Sequence, residues 1–422
     1  MPKSRRDENW TTRPFAEVVY FQEGPGIRNW QYRDTGIPFV NIRCLKDGRL
    51  DIGAMTHLDP DEVRRKYPHF LLDPFDYVVS SSGTLGRLAE VRPEDLPCML
   101  NTSVIRMRPL NDEVDRRYLR YFIESPLYQD QIAALATGSA QLNYGPSHLQ
   151  QMTITYPDQI TQQAIIGVLG DIDNLIENNR RRVAVLEEMA RKIYREWFIR
   201  YRFPGHKSAT FADSPLGPIP NGWRAATVAS ICTVAKDTLD PASTAPETPL
   251  VGLEHIPRRQ ITLDSWGLAG DAGSRKARFA RGDILFGRIR PYFHKASLAP
   301  FNGVCSTDVI VIRPTTEHWG LAVSVVTSDE FVALATQTSN GTKMPRAQWE
   351  VISQFPVAIP TSKLSHNFTE AVRPLYNLAS ALMFESRALA ASRDLLLPRL
   401  VTGQIDVSTL GLGAEASSAA GD

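Results

Sequence analysis

Residues 101–109 read NTSVIRMRP, and residues 306–314 read STDVIVIRP. Each is Thr, one residue, Val-Ile, two residues, Arg-Pro, with Val104 and Val309 lying 205 residues apart. One similar strand is easy to find by chance, but three further pairs keep the same order. QMTITYP (151–157) resembles QFPVAIP (354–360), and IPFVNI (37–42) resembles TPLVGL (248–253). More loosely, YVVSSSGTLGRLAEV (77–91) fits ILFGRIRPYFHKASLA (284–299). Four collinear pairs at nearly constant spacing describe a duplicated domain rather than a many-unit solenoid.

Each copy holds short β-branched runs bounded by Gly, Pro and Asn, with helical stretches such as 112–125 between them, which predicts a mixed α/β domain. A long helical segment follows each copy. The first runs from about Thr161 to Tyr201, with Asp158 or Thr161 as its cap. Its apolar positions step by three and four through Leu169, Ile172 and Ile176, then Asn179, Val183, Leu186, Ala190, Ile193 and Trp197. That is a heptad seam with one polar position. The second runs from about Ser362 to Leu400, with Phe368, Leu375, Leu382, Leu389 and Leu396 seven apart and Leu378 added. Pro374 is expected in its first turns or at a kink. A helix of roughly 38 residues is about 57 Å long, and a narrow apolar seam of that length needs a partner. The two helices are therefore expected to pair antiparallel, with the two domains at opposite ends of a rigid spacer. Asn179 would fix their register. The segment 203–223, rich in Pro, Gly and Ser, reads as a linker, and 410–422 reads as a disordered tail.

The bulk numbers fit this plan. The chain has 422 residues, 43% hydrophobic and 22% charged, with a formal net charge of +1. That length suits two or three domains. The chain has no apolar run long enough to span a membrane, and the start MPKSRRDENW lacks the apolar core of a secretory signal. Cys44, Cys98, Cys232 and Cys305 are far apart, which suggests neither a disulfide framework nor a short-spaced zinc site. A reduced, cytoplasmic protein is expected.

Catalytic constellations are scarce. No phosphate-binding Gly-rich loop ending in Gly-Lys-Ser/Thr occurs, and there is no Glu-x-Lys, no Asn-Pro-Pro or Asp-Pro-Pro, and no His-x-x-x-His. FQEGPG (21–26) reads as a simple loop. What stands out is RKARFARGDILFGRIRPYFHK (275–295), with seven cations against Asp283 and with Phe286, Tyr292 and Phe293 interleaved. Cations that meet phosphates, and Arg forks that match guanine edges, fit a nucleic-acid surface; a solvated basic face is the plainer reading. Arg288, Arg290, Tyr292 and Lys295 are the candidates there. The matching loop of the first copy is SSSGTLGR (80–87), with Thr84 and Arg87. A second pair of loops is SNGTKMPRAQW (339–349), with Thr342, Lys343 and Arg346, and TGSAQLNYGPSHL (137–149), with Ser139, Gln141, Asn143 and Tyr144. Asn and Gln are the side chains that read adenine in the major groove.

At this point an ordered set of segments resembles the specificity subunit of a type I restriction–modification system. GPIPNGWR (217–224) is similar to the opening of a target recognition domain in that family. SNGTKMPRAQWEVI (339–352) and ATGSAQLNYGPSHLQQMTITYP (136–157) are similar to the ends of such domains. LEEMARKIYREWF (186–198) resembles its central conserved helix, and LLLPRLVTGQIDV (395–407) its C-terminal one. The resemblance implies two target recognition domains separated by an antiparallel coiled coil. Their expected bounds are 1–157 and 203–360, with helices in 158–202 and 361–407 and a tail from 408 to 422. It also implies that each domain reads one half of a bipartite double-stranded DNA target. The helices would hold two methyltransferase subunits. The chain itself would bind no cofactor; S-adenosylmethionine, ATP and Mg²⁺ would belong to methyltransferase and restriction/translocase partners. Two rival readings remain at this stage: a coiled-coil protein adaptor without a DNA role, and a single-chain methyltransferase or nuclease.

Overall fold

The structure is a computed structural model and describes residues 10–46, 48–137, 142–239, 244–271, 274–339, 341 and 344–407. The expected tail 410–422 lies outside the described residues, as do Ser139, Gln141, Thr342 and Lys343. The chain divides into two compact units, Met1–Asp173 with Ala391–Asp422, and Asn174–Ala390. Each unit therefore takes part of both long helices.

The first unit runs through β1 (Trp10–Pro14), β2 (Val19–Glu23), β3 (Ile37–Val40), β4 (Thr56–Leu58), β5 (Tyr77–Ser80), β6 (Leu88–Glu90), β7 (Met99–Leu100) and β8 (Val104–Pro109). Helices α1 (Arg116–Glu124) and α2 (Pro126–Leu135) and strand β9 (Thr153–Pro157) follow. Strands β2, β8, β5 and β6 form an antiparallel sheet in that order. Strand β7 pairs parallel with β3 in a second sheet, and β1 pairs with β9. The helix α3 (Gln159–Tyr194) leads into the second unit, capped by the Asp158 carboxylate on the Thr161 amide at 2.8 Å.

The second unit repeats the plan. It holds β10 (Arg224–Thr227), β11 (Cys232–Val234), β12 (Pro249–Val251), β13 (Gly267–Leu268), β14 (Lys276–Phe279), β15 (Ile284–Gly287), β16 (Ala296–Leu298), β17 (Gly303–Ser306) and β18 (Val309–Pro314). Helices α4 (Trp319–Val326) and α5 (Asp329–Gln337), strand β19 (Pro356–Ile359) and helix α6 (Ser362–Val401) complete it. Its sheet order β11, β18, β15, β16 mirrors the first unit, and so does the register: Met107 sits opposite Tyr77, and Ile312 opposite Ile284. Strand β17 pairs parallel with β12, as β7 does with β3, and β10 pairs with β19.

The opening pair of stretches is thus one structural strand, written twice. Val104–Met107 and Val309–Ile312 are buried at every position, because each strand is central in its sheet and covered on both faces. The turn before the neighbouring strand is duplicated too. Asp76 accepts the Asp73 amide at 2.9 Å, and Asp283 accepts the Ala280 amide at 2.8 Å. The arginine that ends each strand reaches that turn: Arg108 meets Asp73 at 2.7 Å, and Arg313 grips Asp283 through two bonds of 2.7 and 2.8 Å. Where the second unit buries Val311, the first buries Arg106, which donates to the carbonyls of Leu71 (2.8 Å) and His69 (3.1 Å) and lies 3.5 Å from Asp76. A buried guanidinium persists only with such partners.

Within the second unit, Val183 of α3 packs on Ala379 and Leu382 of α6, with Leu186 and Met383 beside them. Buried Asn179 donates to the Glu385 carboxylate at 3.1 Å. Within the first unit, Leu169 shares a core with Leu397, Leu400 and Val401, and Asp173 pairs with Arg393 at 3.0 Å. In both units the contacts advance along α3 as they recede along α6, so the helices are antiparallel. The α3 seam follows the expected positions: Leu169, Ile176, Asn179, Val183 and Ala190 are buried, and Ile172, Leu186 and Ile193 are half-buried.

The α6 seam differs from expectation. Leu382 is buried, but Leu375, Leu389 and Leu396 are half-buried and Leu378 is exposed. The buried line is Phe368, Val372, Tyr376, Ala379, Leu382, Ser386 and Leu397. Ala379 and Ser386 take places in that line, and Leu375, Leu378, Leu389 and Leu396 flank it. Pro374 lies in the helix interior, and the helix runs through it. The 203–223 segment is also more structured than expected. Phe211–Ala212 pairs with Ile219–Pro220, and Trp223 packs among Phe198, Tyr201 and Phe203 in tilted and edge-on ring contacts. Among the described residues, no helix is long and apolar enough to cross a membrane.

Candidate nucleic-acid interface

In the first unit, the β5 strand ends at Ser80 and opens into the 81–87 loop. Ser80 holds that loop from below, donating its hydroxyl to the Thr84 carbonyl at 2.5 Å and accepting the Arg87 amide at 2.9 Å. Ser81 then anchors a three-way backbone junction. Its amide donates to the Ser103 carbonyl at 3.0 Å, and its carbonyl accepts the Tyr144 amide at 3.0 Å. Ser82 bridges to Asn143, and Asn143 exchanges amide–carbonyl bonds of 2.9 and 3.0 Å with Thr137. The two loops singled out separately in the first copy are therefore neighbours. Thr84, Arg87 and Asn143 are exposed along them. Tyr144 is not part of that rim: its ring is buried and its hydroxyl meets Tyr128 at 3.1 Å, so it is a core residue.

The second unit builds the same junction from other side chains. Arg288 donates its amide to the Asp308 carbonyl at 3.0 Å and accepts the Ala347 amide at 2.8 Å. Ile289 bridges to Arg346, and the Arg290 amide donates to the Pro345 carbonyl at 2.8 Å. Arg346 is exposed and lies 3.5 Å from Asp308. Arg288 and Arg290 are half-buried, and Arg288 Nε has no partner among the described residues. Tyr292 is exposed beside Phe293, whose face carries the Arg258 guanidinium at 4.0 Å.

The linear run 275–295 does not form one patch. Lys276 and Arg278 belong to β14 of the five-stranded sheet, whereas Arg288 and Arg290 follow β15 of the other sheet. Lys295 turns inward, its ammonium donating to the Leu253 carbonyl in a half-buried position. Among the described residues, the cations gathered at the junction are Arg288, Arg290 and Arg346. The residue that sequence reasoning missed is Glu187 on α3. It is buried, and its Oε1 accepts the amides of Ile261 (3.0 Å) and Thr262 (2.7 Å), which ties the helix to the second unit's sheets. In the sequence it is one more acid in a charged helix; only its seam-side heptad position, four residues after Val183, hinted otherwise.

The four cysteines are all buried thiols. Burial pushes Cys98, Cys232 and Cys305 up to about 12, so none is a nucleophile near neutral pH. Burial also raises the Glu23 carboxyl, at the end of β2. Among the described residues no cluster of three or more His, Cys, Asp or Glu is placed to hold a metal.

Residues 7–188 match the family model described as type I restriction modification DNA specificity domain. The chain is 22% identical over 316 residues to the type I restriction enzyme MjaIX specificity subunit of Methanocaldococcus jannaschii, covering 71% of each. It is 28% identical over 187 residues to the type I restriction enzyme EcoDI specificity subunit of Escherichia coli, covering 43% of this chain and 41% of that one. The crystal structure of the type I restriction-modification S subunit from M. genitalium superposes with a TM-score of 0.54 at 15% identity, covering 95% of this chain and 97% of that one, a likeness of fold. The family model stops within α3, yet the second unit carries the same topology and the same junction.

Proposed function

We propose, from the premise that this chain is a type I restriction–modification specificity subunit, that each of its two units reads one half of a bipartite DNA target. The observation that carries the reading is the duplicated junction. Two backbone hydrogen bonds and one bridge recur in both units, whereas the residues at those points differ: Ser81, Ser82 and Asn143 in one, Arg288, Ile289 and Arg346 in the other. A shared scaffold with exchanged surface groups is what reading two different sequences requires. Main-chain bonds fix position, and side chains meet base edges with about 1–3 kcal/mol of discrimination per bidentate pair.

In this reading the chain performs no bond chemistry. Methyl transfer to the target, with S-adenosylmethionine, belongs to methyltransferase subunits held on the paired helices. ATP- and Mg²⁺-dependent translocation and cleavage belong to a restriction subunit. Arg87 and Arg346 supply the salt-sensitive part of the affinity.

A salt titration of duplex binding by the purified full-length chain tests this. Log affinity is expected to fall linearly with log salt, and incubation with S-adenosylmethionine and Mg²⁺ alone is expected to leave the DNA unmodified. A protein adaptor would show no salt slope, and a self-sufficient enzyme would modify the duplex; either result contradicts the proposal.

A further inference from the structure

At two positions the units share a left-handed backbone but carry different residues, in a way the shared scaffold does not require. Three residues past the end of β5, the first unit turns at Gly83 with φ +69, and two residues before β6 it turns at Gly86 with φ +72. Three residues past the end of β15, the second unit turns at Arg290 with φ +49, and two residues before β16 at His294 with φ +50. The left-handed region is open to glycine and costs any residue with a Cβ. So the second unit places side chains at the two points where its sister copy uses none.

His294 has a structural account. Its ring is buried, with Nε2 3.0 Å from the Thr327 carbonyl and Nδ1 3.3 Å from the Asp329 carboxylate. Arg290 has none. Among the described residues no acid or carbonyl takes its guanidinium. Its amide is fixed on the Pro345 carbonyl, which places it beside Arg346. Buried Pro291 follows it and locks the chain direction. Strain kept at a site the sister domain leaves relaxed, with a rigid mount and a free fork, marks a side chain retained for what it touches outside the protein.

We propose that Arg290 reads a guanine in the half-site of the second unit, its two-pronged guanidinium meeting O6 and N7, while Gly83 leaves the first unit without a counterpart. This rests on the two-half-site reading above. The fork matches guanine O6 and N7 in two bonds; a phosphate also accepts the fork in two bonds but carries no base identity, so base substitution separates the two. Arg346, positioned by Asp308, is the neighbouring cation that sets the backbone register of that half-site.

The test uses Arg290→Gly, which installs the sister unit's own residue, together with Arg290→Lys, which keeps the charge and the strain but not the fork. The full chain is assayed with its methyltransferase subunits on duplexes carrying the methylated motif, with each guanine replaced in turn by 7-deazaguanine to delete N7. Wild type is expected to lose roughly tenfold to a hundredfold in affinity at one guanine of one half-site. Arg290→Gly is expected to bind the unmodified motif no better than wild type binds that substituted duplex and to lose nothing further from the substitution, and Arg290→Lys is expected to lose less from it than wild type does. Arg290→Gly is expected to melt no lower than wild type. The proposal is overturned if no guanine shows this coupling, if both variants weaken cognate and scrambled duplexes equally, or if Arg290→Gly lowers the melting temperature. A motif with no second half would instead remove the two-half-site reading itself, so the two failures are distinguishable.

Discussion

Glu187 shows how much a single side chain on the helix contributes to the domain beside it. One buried carboxylate oxygen receives two loop amides, at 2.7 and 3.0 Å. Glu187→Ala would leave both amides buried without an acceptor, at a cost of about 2–3 kcal/mol, because a hydrogen bond to a charged group contributes more than a neutral one. Urea unfolding of the full chain checks the magnitude, and Glu187→Gln, which retains an acceptor oxygen, should recover at least half of it. Equal loss in both variants would mean that the charge, not the acceptor geometry, is what matters. At this scale the sequence was only partly legible. Runs of arginine pointed toward the 288–290 loop but could not show that Lys295 turns inward, or that Arg278 lies in a different sheet from the strand leading to Arg290. Nor could they show that Gly83 and Arg290 share a backbone conformation; that is a property of φ, which a residue name constrains only weakly.

The long helices were legible as elements and less so as surfaces. Three-four stepping through Leu169, Ile176, Asn179 and Val183 identified the buried face of α3. The seven-residue period of α6 met the buried line at Phe368 and Leu382 but ran beside it at Leu375, Leu389 and Leu396, because the seam also contains Ala379 and Ser386, which a hydrophobic pattern does not weigh. Polar groups supply what leucine does not. In the first unit, Asp173 receives Arg120 and Arg393 at 3.0 Å each and the Tyr121 hydroxyl at 3.0 Å. Its carboxylate is the common partner of groups from α1 and α6, and about a sixth of the side chain is exposed. Removing it by Asp173→Ala leaves both arginines without it; with partial solvent relief the cost should be about 2–3 kcal/mol, below that of a fully buried pair. Thermal melting in low and high salt checks this. A loss that vanishes in 1 M salt would show the cluster to be a screened surface pair instead.

Across the whole molecule the duplication was the most legible feature, and for a physical reason. Central strands covered on both faces tolerate few residue types, so Val104–Ile105 and Val309–Ile310 remained recognisable while the loops beside them diverged. The proposed division of function follows the same line: what stayed alike is scaffold, and what changed is the surface that the proposal assigns to DNA. If the paired helices set the distance between the two half-sites, their length is a measurable quantity. One heptad adds about 10.5 Å of helix, which corresponds to roughly three base pairs of duplex. The most direct measurement is therefore to map the methylated motif in cells carrying this chain with its methyltransferase, alongside a version with both helices lengthened by one heptad. The account predicts two different half-sites, unchanged between the two proteins, separated by a gap that grows by about three base pairs. An unbroken motif, or a gap of the same length in both, would contradict it.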